Sequence, residues 1–240
     1  MDRELMEKAQ GNQRVLGVDA LRGMAIILMV VYHFIFDLVT FAAADPVLLF
    51  NPQMDLMRLF IAVSFILLAG ISCHFSRSNI KRALRILAAA VVITVVTVNM
   101  QLPILFGILH FLGTAMLFYG CTYRFWESLP SSIQPVLYTG LLAGSLILLQ
   151  QVETQANYLW MLGFPYDSFV SLDYYPMLPW LFVFMLGTWL GRLLREGRFP
   201  LWVSTVKPPL LPEIGRRSLT IYLLHQPILY GLIMLYLAVI

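Results

Sequence analysis

Residues 14–40 read RVLGVDALRGMAIILMVVYHFIFDLVT, an apolar run that nevertheless carries Asp19, Arg22, His33 and Asp37. A membrane-spanning helix needs about 20 mostly apolar residues, so the length of this run predicts a span. At about 100° of rotation per residue, Arg22 and His33 fall about 20° apart around the helix. Asp19 and Asp37 share one direction, and all four side chains fit within about 60°. Ionisable groups are costly in hydrocarbon, so this polar stripe is expected to face protein or a water-filled cavity. We read it as the core of an active site.

The rest of the chain has the same character. Of 240 residues, 60% are hydrophobic and 12% charged, and the mean hydropathy is +0.79. Further apolar runs near 20 residues place the protein among all-α polytopic membrane bundles. Helices are predicted near 19–42, 54–75, 80–99, 103–124, 132–151, 176–195 and 218–239, seven in all. They form a single transmembrane domain over residues 15–240 behind a polar tail at 1–14. A net charge of +3 without a basic face interleaved with aromatics argues against nucleic-acid binding. The first apolar run is too long and too interrupted by His33 and Asp37 for a cleaved signal peptide. The two cysteines, Cys73 and Cys121, fall near predicted cytoplasmic helix ends and are read as packing residues.

Seven spans put alternate loops on opposite sides, and the charges then sort cleanly. Of sixteen Lys and Arg residues, all but Arg58 fall in the tail or at the ends on its side. Positive charge marks the cytoplasmic side, so the N-terminus is expected inside and the C-terminus outside. Gly140 with Gly144, and Gly187 with Gly191, have the small-residue spacing that lets helices approach closely.

His33 lies 11 residues beyond Arg22, about 16 Å along the helix axis. Asp37 is one turn further and can orient the imidazole and stabilise its protonated form. His110, in FGILHFLGT, is expected at a similar depth on the fourth helix, as a second catalytic group or as a satisfied core histidine. His225, in RRSLTIYLLHQPILYG, precedes Pro227, which frees a carbonyl and kinks a helix. It is expected to line a cavity or to make a structural hydrogen bond. His74, near the inner surface, is read as an interfacial residue. No two histidines have metal-ligand spacing, and no phosphate loop or serine elbow is present. The aromatic loop with Tyr158, Trp160, Tyr166, Phe169, Tyr174 and Tyr175 reads as an interfacial belt, with a sugar platform as the alternative.

Four blocks in order, RVLGVDALRGMAIILMVVYHFIFDL, SFILLAGIS, FGILHFLGT and GRRSLTIYLLHQPIL, resemble the heparan-alpha-glucosaminide N-acetyltransferase-like family of transmembrane acyltransferases. The first block is also similar to the start of the wider group that O-acylates cell-surface sugars, with Arg22 and His33 at its arginine and histidine. The resemblance implies transfer from cytosolic acetyl-CoA, or another acyl-CoA, to an amino sugar or other saccharide at the outer face of a bacterial-type inner membrane. The chain is shorter than the animal lysosomal enzymes of that family.

Catalysis is accordingly assigned to His33 as base, Asp37 and His110. Donor contacts are assigned to Arg22, Asp19, His225, Arg82 and Arg216, with no metal. The basic clusters at Arg77 to Arg85 and Arg192 to Arg217 offer partners for the donor's phosphates, and the sequence allows a homo-oligomer. The rival reading is an ion-coupled transporter that uses the same stripe as a relay.

Overall fold

The computed structural model describes residues 16–152, 158–198 and 210–239. The predicted tail at 1–14, together with Glu153 and Lys207, lies outside them. The helices are α1 (Leu16–Phe41), α2 (Pro52–Ser72), α3 (Asn79–Asn99), α4 (Ile108–Ser128), α5 (Gln134–Gln151), α6 (Met177–Arg195), the short α7 (Leu211–Arg216) and α8 (Ser218–Val239). Among the described residues there is no strand, and one isolated bridge joins Phe106 to Tyr174. Among the described residues five helices are long and apolar enough to cross a membrane: α1, α2 with its extension to Phe75, α3, α6 and α8. The chain is an all-α membrane protein.

Local chemistry explains several helix starts. Asn51 accepts from the Met54 amide at 2.9 Å ahead of Pro52, whose missing N–H costs nothing at a first turn. Ser78 caps α3 by accepting from the Lys81 amide at 3.3 Å. The start of α4 is different: its Ile108 amide donates to Asp173, 65 residues later, at 2.9 Å. The Leu105 amide likewise donates to the Ser171 hydroxyl at 3.1 Å. These two bonds hold the segment after Pro103 out of the helix, so α4 begins later than position 103.

The backbone groups into two units, residues 1–65 with 199–240, and residues 66–198. In the first, α1 packs against α7 and α8. Ile26, Met29 and Ile61 form its apolar centre, with Tyr32, Ile214, Ile221 and Tyr222 against them. Leu21, Ile27, Val31 and Phe34, on the other side of α1, stay exposed, as suits a lipid-facing surface.

In the second unit α3 packs on α4 and α5 on α6, while the end of α2 lies along α6. A side chain at Gly187 would run into the Leu67 carbonyl, and one at Gly191 would come within 2.6 Å of the Ile71 carbonyl. That pair of small residues does allow backbones to meet. Gly140 and Gly144 do not: among the described residues nothing lies within 4 Å of where their side chains would stand. The expectation of a close approach there is corrected.

Candidate active site

The polar stripe of α1 is resolved into two clusters, both within the first unit. Near the start of the helix, Asp19 is buried and pairs with Arg22 at 2.7 Å. Its other oxygen lies 3.8 Å from Arg216 on α7, and Arg216 also pairs with Glu213 at 3.1 Å. Arg216 is the charged link from α7 to the Asp19–Arg22 pair of α1, at a place where glycines bring the backbones together. A side chain on Gly23 would strike the Leu211 carbonyl, and one on Gly215 would strike the Asp19 carbonyl. Three of the residues expected to meet the donor, Asp19, Arg22 and Arg216, thus form a single ion-paired cluster.

The second cluster lies further along α1. Asp37 is completely buried, and its Oδ1 accepts from Gln226 Nε2 of α8 at 2.7 Å. Among the described residues no hydrogen bond joins Asp37 to His33, the partner expected from helical spacing. The adjacent α8 residue takes that place instead: the His225 ring centroid lies 4.8 Å from that of His33. His225 is buried, and its Nδ1 lies 2.7 Å from the Tyr222 carbonyl. A carbonyl only accepts, so Nδ1 carries the hydrogen and Nε2 of a neutral ring is left as an acceptor. Pro227 follows one position after Gln226 and has no amide hydrogen to give the Leu223 carbonyl. Of the two alternatives for His225, the structural hydrogen bond is the one present, at Nδ1, and Nε2 remains a buried basic nitrogen.

Three atoms in this cluster, Asp37 Oδ2, His225 Nε2 and Gln226 Oε1, are buried without a hydrogen-bond partner among the described residues. Buried polar atoms are nearly always satisfied, and exceptions concentrate where chemistry is done. The arrangement sets two imidazoles side by side, with a buried basic nitrogen on His225 and a buried carboxylate one turn along α1 from His33. Removing the Gln226 amide should leave the Asp37 carboxylate with no donor. Gln226→Leu is expected to lose roughly 3 kcal/mol of stability, read as a lowered melting temperature of the detergent-purified protein. Adding Asp37→Asn should return most of the loss, because the buried charge is gone. A melting temperature unmoved by Gln226→Leu would show that the bond contributes nothing.

The remaining predicted residues belong to the second unit. His110 Nε2 lies 3.1 Å from the Thr94 hydroxyl, which itself donates to the Ile104 carbonyl at 2.6 Å. Phe106 stacks on the His110 ring at 5.9 Å between centroids. These are the contacts of a satisfied core histidine. Arg82 sits in the first turn of α3, and among the described residues no carboxylate pairs with it. The aromatic loop is tied inward: Tyr174 donates to the Trp160 carbonyl, and burial pushes its phenol up to about 12. Phe169 lies within ring contact of both Trp160 and Tyr174.

Sequence reasoning misses the roles of two residues, one in the second cluster and one in the second unit. Nothing local to Gln226 ties it to a carboxylate 189 residues away. His74, which the sequence places at the interface, has a side chain 1% exposed that lies 3.1 Å from the Tyr119 hydroxyl.

No curated protein and no solved structure gives a significant match to the chain. The family described as heparan-alpha-glucosaminide N-acetyltransferase, catalytic, does match, over residues 14–227. That stretch contains α1 with its polar stripe and reaches the His225, Gln226 and Pro227 of α8, so the chain belongs to this family of transmembrane acetyltransferases.

Proposed function

We propose that the protein transfers an acetyl group from acetyl-CoA on the cytosolic side to an amino sugar or other saccharide at the outer face. The observation that carries this reading is the ring contact of half-buried His33 with buried His225, beside the buried Asp37–Gln226 bond, on helices otherwise built for lipid. Ionisable groups kept at such a cost are functional by default. Their types suit acyl transfer. A thioester is already activated, so the enzyme has to take a proton from the acceptor and stabilise the developing oxyanion.

In the proposed reaction, His33 removes the proton from the acceptor amine or hydroxyl as it attacks the thioester carbonyl. The new carbon–nitrogen or carbon–oxygen bond gives a tetrahedral oxyanion, whose collapse breaks the carbon–sulfur bond. The departing thiolate takes a proton back from the imidazolium, which leaves acetylated acceptor and free CoA. His225 shares the proton load, since its Nδ1 is committed to the Tyr222 carbonyl and its Nε2 is the nitrogen able to accept. Asp37, held by Gln226, supplies negative charge near the imidazolium. The distribution of Lys and Arg supports an inside N-terminus and hence a cytosolic donor.

The test uses purified protein in lipid nanodiscs, acetyl-CoA labelled in its acetyl group, and a panel of amino sugars and envelope glycans. Label transferred to at least one saccharide, saturably in acetyl-CoA, is the expected result. Ion-coupled flux with indifference to acetyl-CoA would replace this reading with a transporter.

A further inference from the structure

One buried histidine takes no part in the chemistry of the first unit. His74 lies in the short helical extension of α2, within the second unit, and its side chain is almost wholly buried. The burial comes from a close approach of α6. A side chain on Gly191 would come within 3.0 Å of the His74 ring and 2.6 Å of the Ile71 carbonyl. His74 Nε2 lies 3.1 Å from the Tyr119 hydroxyl of α4, which in turn donates to Glu127 Oε1 at 3.1 Å. The direct distance from Nε2 to Glu127 Oε1 is 3.6 Å. Three titratable groups thus form one hydrogen-bonded chain, with a hydroxyl in the middle.

The hydrogens can be placed along this chain. An ionised carboxylate only accepts, so the single Tyr119 hydrogen is directed to Glu127. The Tyr119 oxygen must then accept from His74, which puts the hydrogen of the neutral ring on Nε2 and leaves Nδ1 bare. Nδ1 is buried with no hydrogen-bond partner among the described residues, although the Thr188 backbone of α6 is beside the ring. Buried polar atoms are nearly always partnered, and a bare one marks a strained, redox or proton-handling group. The one ligand that needs no cavity is a proton.

Charged and titratable groups face the chain from several helices. From α4 come Tyr119 and Glu127, with Tyr123 in ring contact with Tyr119 at 5.9 Å. From α6 come Arg195, 3.7 Å from Glu127 Oε2, and Arg192, which donates to the Glu127 and Leu129 carbonyls and to Glu196. Tyr138 of α5 is buried near Glu127, and Arg82 of α3 lies by Cys73. Tyr119 and the His74 ring are both 1% exposed, whereas the Glu127 side chain is 17% exposed. The carboxylate is therefore the end of the chain that reaches solvent.

We propose that His74, Tyr119 and Glu127 bind one proton as a unit, with Glu127 as its exit to solvent and Tyr119 as its carrier. The added hydrogen belongs on Nδ1, the bare nitrogen. With Nε2–H also in place, the chain is an imidazolium, a hydroxyl and a carboxylate. As Nε2 gives its hydrogen to the Tyr119 oxygen, that oxygen gives its own to Glu127 Oε1. The chain is then a neutral imidazole, a hydroxyl and a carboxylic acid, with the same number of protons and the same total charge. The reverse shift carries a proton inward from solvent, and neither direction requires a heavy atom to move. Groups coupled this closely titrate as a pair rather than as separate residues. The proton sets the charge where the end of α2 meets α4 and α6, and the site does not rest on the proposed acetyl transfer.

The test is a titration of the full chain in lipid nanodiscs over about pH 5–8, the range in which an imidazole changes charge. Nitrogen-15 resonances of labelled histidine follow the His74 ring, and the infrared carbonyl stretch of a protonated carboxyl follows Glu127. The signals lost in His74→Gln and in Glu127→Gln identify them. In the parent both probes should change with a single midpoint. Tyr119→Phe keeps the buried ring but has no hydroxyl to carry the hydrogen, so the carboxyl band should no longer appear at the histidine midpoint. A melting temperature within a few degrees of the parent would confirm that this variant is folded. If it is not, the two curves of the parent decide alone. Separate midpoints in the parent, a His74 transition with no carboxyl band, or a ring that stays neutral throughout would each overturn the shared proton. A band that keeps the histidine midpoint in folded Tyr119→Phe would remove Tyr119 as the carrier.

Discussion

His33→Ala is expected to lower kcat for acetyl transfer by about 10²–10⁴-fold, the usual contribution of a general base, while acetyl-CoA affinity and the melting temperature barely move. The small structural effect follows from the surroundings. His33 is half-buried, and among the described residues it makes ring contacts with Tyr32, Phe36 and His225 but no hydrogen bond. Removing it therefore strands no polar partner. His225→Ala should also lower kcat, but with a larger loss of stability, because the ring is buried and bound to the Tyr222 carbonyl. If the two imidazoles handle one proton as a unit, the double variant should be little slower than His33→Ala alone. Multiplying losses would mean separate roles. A His33→Ala protein with more than about a tenth of the parental kcat would remove His33 as the base, since a lost base costs far more than that.

The helices were readable because hydrocarbon imposes length and composition on every span. The predicted 218–239 and 80–99 agree with Ser218–Val239 and Asn79–Asn99 to within a residue. Where a distant group decides, sequence reading failed. Residues 103–107 look like the opening of a helix, but Ser171 and Asp173 occupy the amides that would start it. The short α7 was hidden within a polar segment, since six residues show no periodicity. At the site, the stripe itself was visible from rotation angles, and Asp19 and Asp37 are indeed buried. Its partners were not. Asp37 stands one turn from His33, yet the bond goes to Gln226 on another helix, and no local rule selects between them. Glycine spacing had the same ambiguity: one pair at four-residue separation meets backbone, and the other meets nothing among the described residues.

That contrast supports the largest expected effect on folding. At Gly215 a Cβ would overlap the Asp19 carbonyl, and at Gly23 it would overlap the Leu211 carbonyl. Both obstacles are main chain in helices, so no rotamer change can relieve them. Gly215→Val should force α7 away from α1 and lengthen the Arg216–Asp19 contact, now 3.8 Å. Arg22 would then be left to neutralise the buried Asp19 carboxylate. Overpacking alone costs up to about 3 kcal/mol, and weakening an ion pair at a buried carboxylate adds to it. The expected result is a protein that melts well below the parent or fails to survive extraction from the membrane. Gly140→Ala is the matched comparison: the same class of change, in a helix, with open space around it. It should be neutral or stabilising by up to about 1 kcal/mol, because alanine favours helix over glycine. If both variants melted together, close approach of α7 to α1 would not be what holds this part of the fold. The ion-paired cluster at Asp19 would then have to do so without it, and Asp19→Asn would become the more damaging change.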